Sequence, residues 1–338
     1  MADIRAEYLI ITDGAGWADR SGRGRLRLEG ADAAAFLQGL LTNDIKALEP
    51  GRGAYAALLT PQGRMVADFR IYRRADALVA DVAPGTAADL AARFDSMIFA
   101  EDLVVTDITP QTALVSVVGR EAADRVARAL DLGRSDVEGL EPLAQLEAGA
   151  VLVIRADLAD VPMFDIWMPA GMRSGLLKQL EEAGVQQVSE ALLETLRIEA
   201  ARPAFGIDMT SATIPLEAGL LDRAISTSKG CYVGQEVVIR VLHRGGGRVA
   251  RRLVQMVVDA TDAVQPGDVV RARAEPASSQ TGAAGDAGRV TSCAFSPKHG
   301  RMVALGYVPR ELAEPGVALA VETSDGAAAA AEVVRLAG

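Results

Sequence analysis

Lys229-Gly230-Cys231-Tyr232-Val233-Gly234-Gln235-Glu236 is the stretch on which the reading of this chain turns. Eight residues hold a cation, one of only two cysteines, a tyrosine, two glycines, an amide and a carboxylate. Glycine permits backbone with φ > 0 or the close approach of another group. Lys229 is a candidate for keeping Cys231 partly thiolate, which would make it a nucleophile or a soft ligand. The plainer reading is a tight turn before a strand over Val237–Leu242, with Cys231 a small packing residue.

Outward from this stretch, composition sets the limits. A chain of 338 residues is long for one domain. Half its residues are hydrophobic and 24% are charged, an ordinary globular balance. A formal net charge of −10 argues against broad, non-specific nucleic-acid binding, though not against a local basic patch. Cys231 and Cys293 give no disulfide framework, and no signal-like or bilayer-length apolar segment stands out; a cytoplasmic location without membrane contact is expected.

Before the octet, Glu7–Thr12 reads as a strand with its turn at Asp13–Gly16. A strand followed by Gly-x-Gly suggests dinucleotide binding, but Asp19 holds the third glycine position and Arg25–Leu28 reads as strand. Asp32 is placed to cap a helix from Ala33 that carries Phe36, Leu37, Leu40 and Leu41 on one face. Asn43 and Asp44, just beyond it, read as local turn chemistry. After a turn at Pro61–Arg64, Met65–Tyr72 alternates: Met65, Ala67, Phe69 and Ile71 on one face, Val66, Asp68, Arg70 and Tyr72 on the other. Strand, helix, strand, strand and helix follow over 78–130, the rhythm of a ferredoxin-like unit. Residues 131–149 read as a linker, 151–154 and 163–168 as strands, and 171–183 as a helix.

A second helix begins near Ser189, capped by it and stapled by Val188 and Leu193. Pro203 ends it. Leu192, Leu196 and Glu199 share a face, so a carboxylate follows two leucines at the unfavourable end of the helix dipole. Periodicity alone lets Glu199 project into water. Beyond the octet, Arg240, Arg244, Arg248, Arg251 and Arg252 crowd around Gly245-Gly246-Gly247 with His243. They read as a solvated basic hairpin, or as a cationic rim for anionic groups. Six short strands over 255–336 suggest a small β-barrel, with Ala274–Ala287 a Gly/Ala/Ser-rich loop expected to be mobile. Cys231, His243, Cys293 and His299 could in principle hold zinc, but their spacing lacks a close ligand pair and no metal is expected.

The octet resembles the K-G-C-Y-x-G-Q-E signature of the YgfZ family, folate-binding members of the glycine-cleavage T-protein superfamily linked to iron–sulfur enzyme maintenance and tRNA modification. Phe36–Asp44, Tyr55–Thr60, Met65–Tyr72, Leu196–Ala200, Gly206–Asp208, Ile214–Leu220, Gly288–Cys293 and Ala304–Tyr307 resemble the same superfamily, so the likeness spans nearly the whole chain. It implies an α+β fold with three domains around a central folate pocket: 1–48 plus 150–247 as a discontinuous core, 49–149 as a ferredoxin-like insert, and 248–338 as the C-terminal β-barrel.

For the site, the likeness implies that Glu199 binds the pterin ring, whose neighbouring N–H groups suit a bidentate carboxylate. It sets Asp68 toward the one-carbon end, although the family often carries two adjacent acids where this chain has Ala67-Asp68. Asn43, Lys229, Tyr232 and Arg240 join the expected ligand contacts, and Cys231 a thiol-dependent step. The expected ligand is tetrahydrofolate or a one-carbon derivative; the expected partners are iron–sulfur assembly proteins or client enzymes. The arginine cluster would meet either the glutamate tail of a folate or tRNA phosphates. Two alternatives stand beside this reading: a folate-dependent aminomethyltransferase of the T-protein type, favoured by Ile214–Leu220, and a folate-free scaffold.

Overall fold

A computed structural model describes residues 3–243, 246–273, 286–323 and 326–338. Arg244, Gly245 and most of the 274–287 loop therefore lie outside the described residues. In chain order the first elements are α1 (Ile4–Asp13), β1 (Gly16–Asp19), β2 (Gly24–Glu29), α2 (Ala33–Leu40), β3 (Gly53–Leu59), β4 (Met65–Arg73), β5 (Leu78–Val82), α3 (Ala87–Asp95) and β6 (Val104–Asp107). Next come β7 (Thr112–Val118), α4 (Ala122–Leu130), α5 (Arg134–Glu138), β8 (Gln145–Ala148), β9 (Val151–Arg155), β10 (Met163–Pro169), α6 (Arg173–Glu182), β11 (Gln186–Gln187) and α7 (Glu190–Glu199). The chain ends with α8 (Leu221–Ala224), α9 (Gln235–His243), β12 (Arg251–Val258), β13 (Val269–Ala272), β14 (Asp286–Ser296), β15 (Arg301–Pro309), β16 (Ala318–Glu322) and β17 (Ala328–Leu336).

Contacts divide the chain into two units: Met1–Leu59, Val66–Leu193 and Ala224–Val233 form the first, and Thr60–Met65, Glu194–Arg223 and Gly234–Gly338 the second. The first holds two sheets, ordered β11-β1-β7-β10-β9-β8 and β3-β4-β5-β2-β6. The strands expected over 78–130 are thus shared between sheets, β5 and β6 in one and β7 in the other. Against the six-stranded sheet, α4 and α6 pack Val126, Leu176 and Leu180 onto Val115, Val117 and Phe164. Against the five-stranded sheet lie Leu37 of α2 and Phe94 of α3, meeting Leu26, Phe69 and Ile71. Met65, Ala67, Phe69 and Ile71 are all buried, as the alternation of β4 requires; Tyr72 is buried too, edge-on to Trp167.

In the second unit β12-β15-β14-β13-β16-β17 closes into a barrel, matching the six strands read from sequence. Val254, Met256, Val290, Leu319, Val321 and Val333 are in its core. Ile198 at the end of α7 and Ala201 just after it meet Leu253, Leu305 and Ala337 in this unit. Gly219, at φ +74°, lies so close to Ala337 that a Cβ would overlap its carbonyl oxygen, which explains a glycine in the Ile214–Leu220 segment.

Four local readings are corrected. Glu7–Thr12 is helical, not a strand: Asp3 accepts hydrogen bonds from Arg5 N and Ala6 N and so starts α1. Residues 131–149 are not a bare linker, since Val137 of α5 is fully buried and β8 pairs antiparallel with β9. Asp32 makes no side-chain cap; its carboxylate accepts from Asp102 N instead. Val237–Leu242 lies in helix α9, which begins after Gly234 at φ +82° and buries Val238 while Glu236 and Arg240 pair on its surface. A short run of β-branched residues carries no period that separates strand from helix. No helix among the described residues is long and apolar enough to cross a membrane.

Candidate functional site

The first unit gathers four of the residues singled out from sequence into one connected network. Lys229 is only 8% exposed, and its ammonium donates to three backbone carbonyls, those of Gln38 (2.7 Å), Leu41 (2.6 Å) and Asn43 (2.9 Å). These carbonyls belong to the C-terminal end of α2 and the turn after it, where unpaired carbonyls and the negative end of the dipole favour a cation. Its three N–H groups are therefore committed to the end of α2 and the turn after it. Burial pushes its pKa down to about 8, with the Asp44 carboxylate opposing that shift.

The same ammonium lies 5.1 Å from the centroid of the Tyr232 ring. Tyr232 is buried, its hydroxyl has no hydrogen-bond partner among the described residues, and burial raises its pKa to about 12. Between these two buried side chains, Cys231 is exposed. Three further bonds fasten the segment: Thr42 Oγ1 donates to Ala224 O (2.6 Å), Ser226 N to Thr42 O (3.1 Å) and Val233 N to Gly39 O (3.2 Å).

Asn43 continues the network. Its carboxamide donates to Tyr55 O (2.9 Å) and accepts from Asp44 N (2.8 Å), so the local turn chemistry expected of it is present alongside the Lys229 contact. Tyr55, on β3, then donates its hydroxyl to Asp68 Oδ2 on β4 (2.8 Å). Asp68 is half-buried, and its strand neighbour Arg70 is engaged elsewhere, by Asp157 at 3.0 Å and over the Tyr55 ring at 5.4 Å. Tyr55 was not legible as a site residue, because nothing local marks it; its position beside β4 does. Gln38 was missed for the same reason, although its side chain accepts from Ile45 N and Lys46 N and donates to Asp44.

In the second unit, Glu199 is 6% exposed and does not project into water. Its carboxylate accepts from Ser296 Oγ, and the last carbonyls of α7 are capped by Gln255 Nε2, which donates to Ile198 O and to Glu199 O (2.7 Å). Arg335 also donates to Glu199 O, supplying positive charge where the helix dipole is negative. Two residues back, buried Arg197 pairs with Asp208 at 2.6 Å and with Glu194 at 2.5 Å. Asp208 further accepts from Ser292 Oγ (2.7 Å), Thr291 Oγ1 (2.5 Å) and Ala204 N (3.1 Å).

Two members of the arginine cluster have acidic or aromatic partners. Arg240 is on the surface of α9 with Glu236, while Arg251 stacks 4.5 Å from the Tyr307 ring centroid and pairs with Glu217 at 3.1 Å. Cys293 donates to Val264 O (3.1 Å), and burial raises its thiol pKa to about 11. His243 and His299 are exposed. Among the described residues no group of three or more His, Cys, Asp or Glu is arranged to hold a metal ion.

This architecture is that of a known class. The crystal structure of glycine cleavage system aminomethyltransferase T from Bartonella henselae shares the fold at a TM-score of 0.85 and 24% identity, over 98% of this chain and 88% of that one. Residues 1–229 match the GCVT N-terminal domain and residues 251–337 the glycine cleavage T-protein C-terminal barrel domain. The chain belongs to the glycine-cleavage T-protein family. It is 28% identical over 330 residues to an aminomethyltransferase of Nostoc sp., covering 94% of this chain and 83% of that one. Against the aminomethyltransferase of Cutibacterium acnes it is 29% identical over 341 residues, with 94% and 85% covered. Aminomethyltransferases of this family use tetrahydrofolate as the one-carbon carrier.

Proposed function

We propose that this protein binds tetrahydrofolate or a one-carbon derivative and acts on the carried one-carbon unit, by aminomethyl transfer as its relatives' names suggest. The observation that supports this most is the burial of Glu199 at the end of α7. A buried carboxylate of this kind suits the adjacent N–H donors of a pterin edge. Asp68, held by Tyr55 and not neutralised by Arg70, suits the one-carbon end, where it can orient a folate nitrogen or take up a proton. Asn43, Lys229 and Tyr232 keep the wall behind Asp68 in shape, and Arg240 offers charge to a glutamate tail. The three-domain division with boundaries near 48, 149 and 247 belongs to the same proposal.

Titration calorimetry with tetrahydrofolate under reducing, anaerobic conditions tests it. One saturable site is the expected result. No heat of binding from a folded sample would sink the folate reading and leave the scaffold.

A second reading, a YgfZ-like protein that supports iron–sulfur enzymes and through them tRNA modification, is favoured by one feature. The complete octet is present, and it exposes the Cys231 thiol between two buried neighbours. Cys231→Ser is expected to keep folate affinity and lose complementation of an iron–sulfur maintenance defect. Full complementation by that variant, with aminomethyl transfer detected in vitro, would decide for the transferase.

A further inference from the structure

Among the described residues the most exposed large apolar side chain is Phe99, at 89%. It is not a frayed end. The Glu101 carboxylate accepts from Phe99 N (2.7 Å) and Ala100 N (3.0 Å), which folds the turn under the ring. The following residue is tied to the start of α2: Asp32 Oδ2 accepts from Asp102 N (2.8 Å), and Asp102 O from Asp32 N (3.1 Å). Folding thus fixes an aromatic ring in solvent, which costs free energy unless something covers it.

Beside this turn in sequence runs β6, the last strand of the five-stranded sheet, whose outer edge pairs with nothing among the described residues. Natural edges are usually blunted by lysine, proline or a bulge. Val104-Val105-Thr106 has none of these, and Val104 is 61% exposed. Only the strand's shortness limits it. The surroundings are mostly acidic: Asp95, Glu101 and Asp102 are exposed, and Arg93 is the only basic residue between Ala87 and Ile108, while Glu29, opposite Val104 in register, is paired with Arg27, opposite Thr106.

We propose that Phe99 and the β6 edge form a docking site for an extended basic segment of a partner protein. The segment adds to the sheet beyond β6 through main-chain hydrogen bonds, sets an apolar side chain against Phe99 and Val104, and meets Glu101, Asp102 and Asp95 with lysine or arginine. A four-residue edge offers few main-chain bonds, so the aromatic anchor and the charges supply much of the affinity.

Fluorescence anisotropy with the full chain and a short labelled peptide of alternating lysine and valine tests this. Controls are the same peptide with glutamate for lysine and one with N-methylated backbone amides. Saturable binding of the lysine peptide alone, weakened by salt and reduced about tenfold or more by Phe99→Glu, is expected. Phe99→Glu changes a solvent-facing residue, so circular dichroism of the variant should match the wild type. No binding, equal binding of the N-methylated or glutamate peptide, or binding unchanged in Phe99→Glu would overturn the proposal. So would sedimentation showing a dimer that Phe99→Glu dissociates, since a second copy would then be the occupant.

Discussion

Lys229 Nζ lies 2.6 Å from the carbonyl oxygen of Leu41, and this contact anchors the segment that carries Cys231 to the end of α2. Lys229→Met keeps the length and the apolar stem but leaves three carbonyls without that donor. A loss of about 2–3 kcal/mol in urea unfolding is expected, the cost of orphaned acceptors and lost charge-assisted bonds. The same variant separates anchoring from thiol activation. With anchoring, the pH midpoint of Cys231 alkylation stays where it is while amide exchange over residues 226–233 accelerates. A midpoint that rises in Lys229→Met, with exchange unchanged, would assign Lys229 the activating role.

Burial lowers the Lys229 pKa from its ordinary 10.5 to about 8, so the folded chain gives up this proton earlier than the unfolded chain does. Between those values the unfolded state binds more protons, and stability rises with pH wherever that holds. Below about pH 8 the ammonium is charged in both states and the desolvation cost is present in full. The unfolding free energy of the wild type minus that of Lys229→Met is therefore expected to climb from about pH 8 toward 10.5. A flat or falling difference would mean that the carbonyl cage offsets the cost of burying the charge.

The barrel strands and β4 were legible because alternation over many residues leaves one consistent face, as Met65, Ala67, Phe69 and Ile71 illustrate. The two misread helices, α1 and α9, share short aliphatic runs in which period is undefined; their start signals, Asp3 and Gly234, decided the outcome. Of the site, residue types were visible and partners were not. Lys229 reads as an activator when only its neighbour Cys231 is in view, but its acceptors lie as far as 191 positions away. Tyr55 belongs to a stretch that resembles the superfamily but carried no signal of a site role, and it becomes the link between Asn43 and Asp68 only once β3 lies beside β4.

Asp208 is the acceptor of the most enclosed ion pair among the described residues of the second unit, its side chain fully buried against an Arg197 side chain that is 4% exposed. Asp208→Ala leaves the guanidinium without its buried partner and frees the hydroxyls of Thr291 and Ser292. Removing one member of such a pair costs about 3–5 kcal/mol. Thermal unfolding should show that loss. A change of well under 1 kcal/mol would mean that Glu194 alone can satisfy Arg197.

Glu199→Gln separates binding from folding more cleanly than truncation does. Glutamine keeps the shape of the side chain and an oxygen that can accept from Ser296 Oγ, so the packing at the end of α7 should survive. What disappears is the negative charge. If the pterin edge pairs with Glu199, a charge-assisted bond becomes a neutral one and the carboxamide presents an N–H to an N–H. Tetrahydrofolate affinity is then expected to fall by about 1.5–3 kcal/mol, roughly ten- to hundredfold in Kd, while the thermal midpoint hardly moves. Ser296→Ala serves as the control, since it disturbs the same carboxylate without removing its charge. Weaker binding in Glu199→Gln but not in Ser296→Ala assigns the pterin to the carboxylate. Equal affinity in all three proteins would move the pterin to another part of the chain.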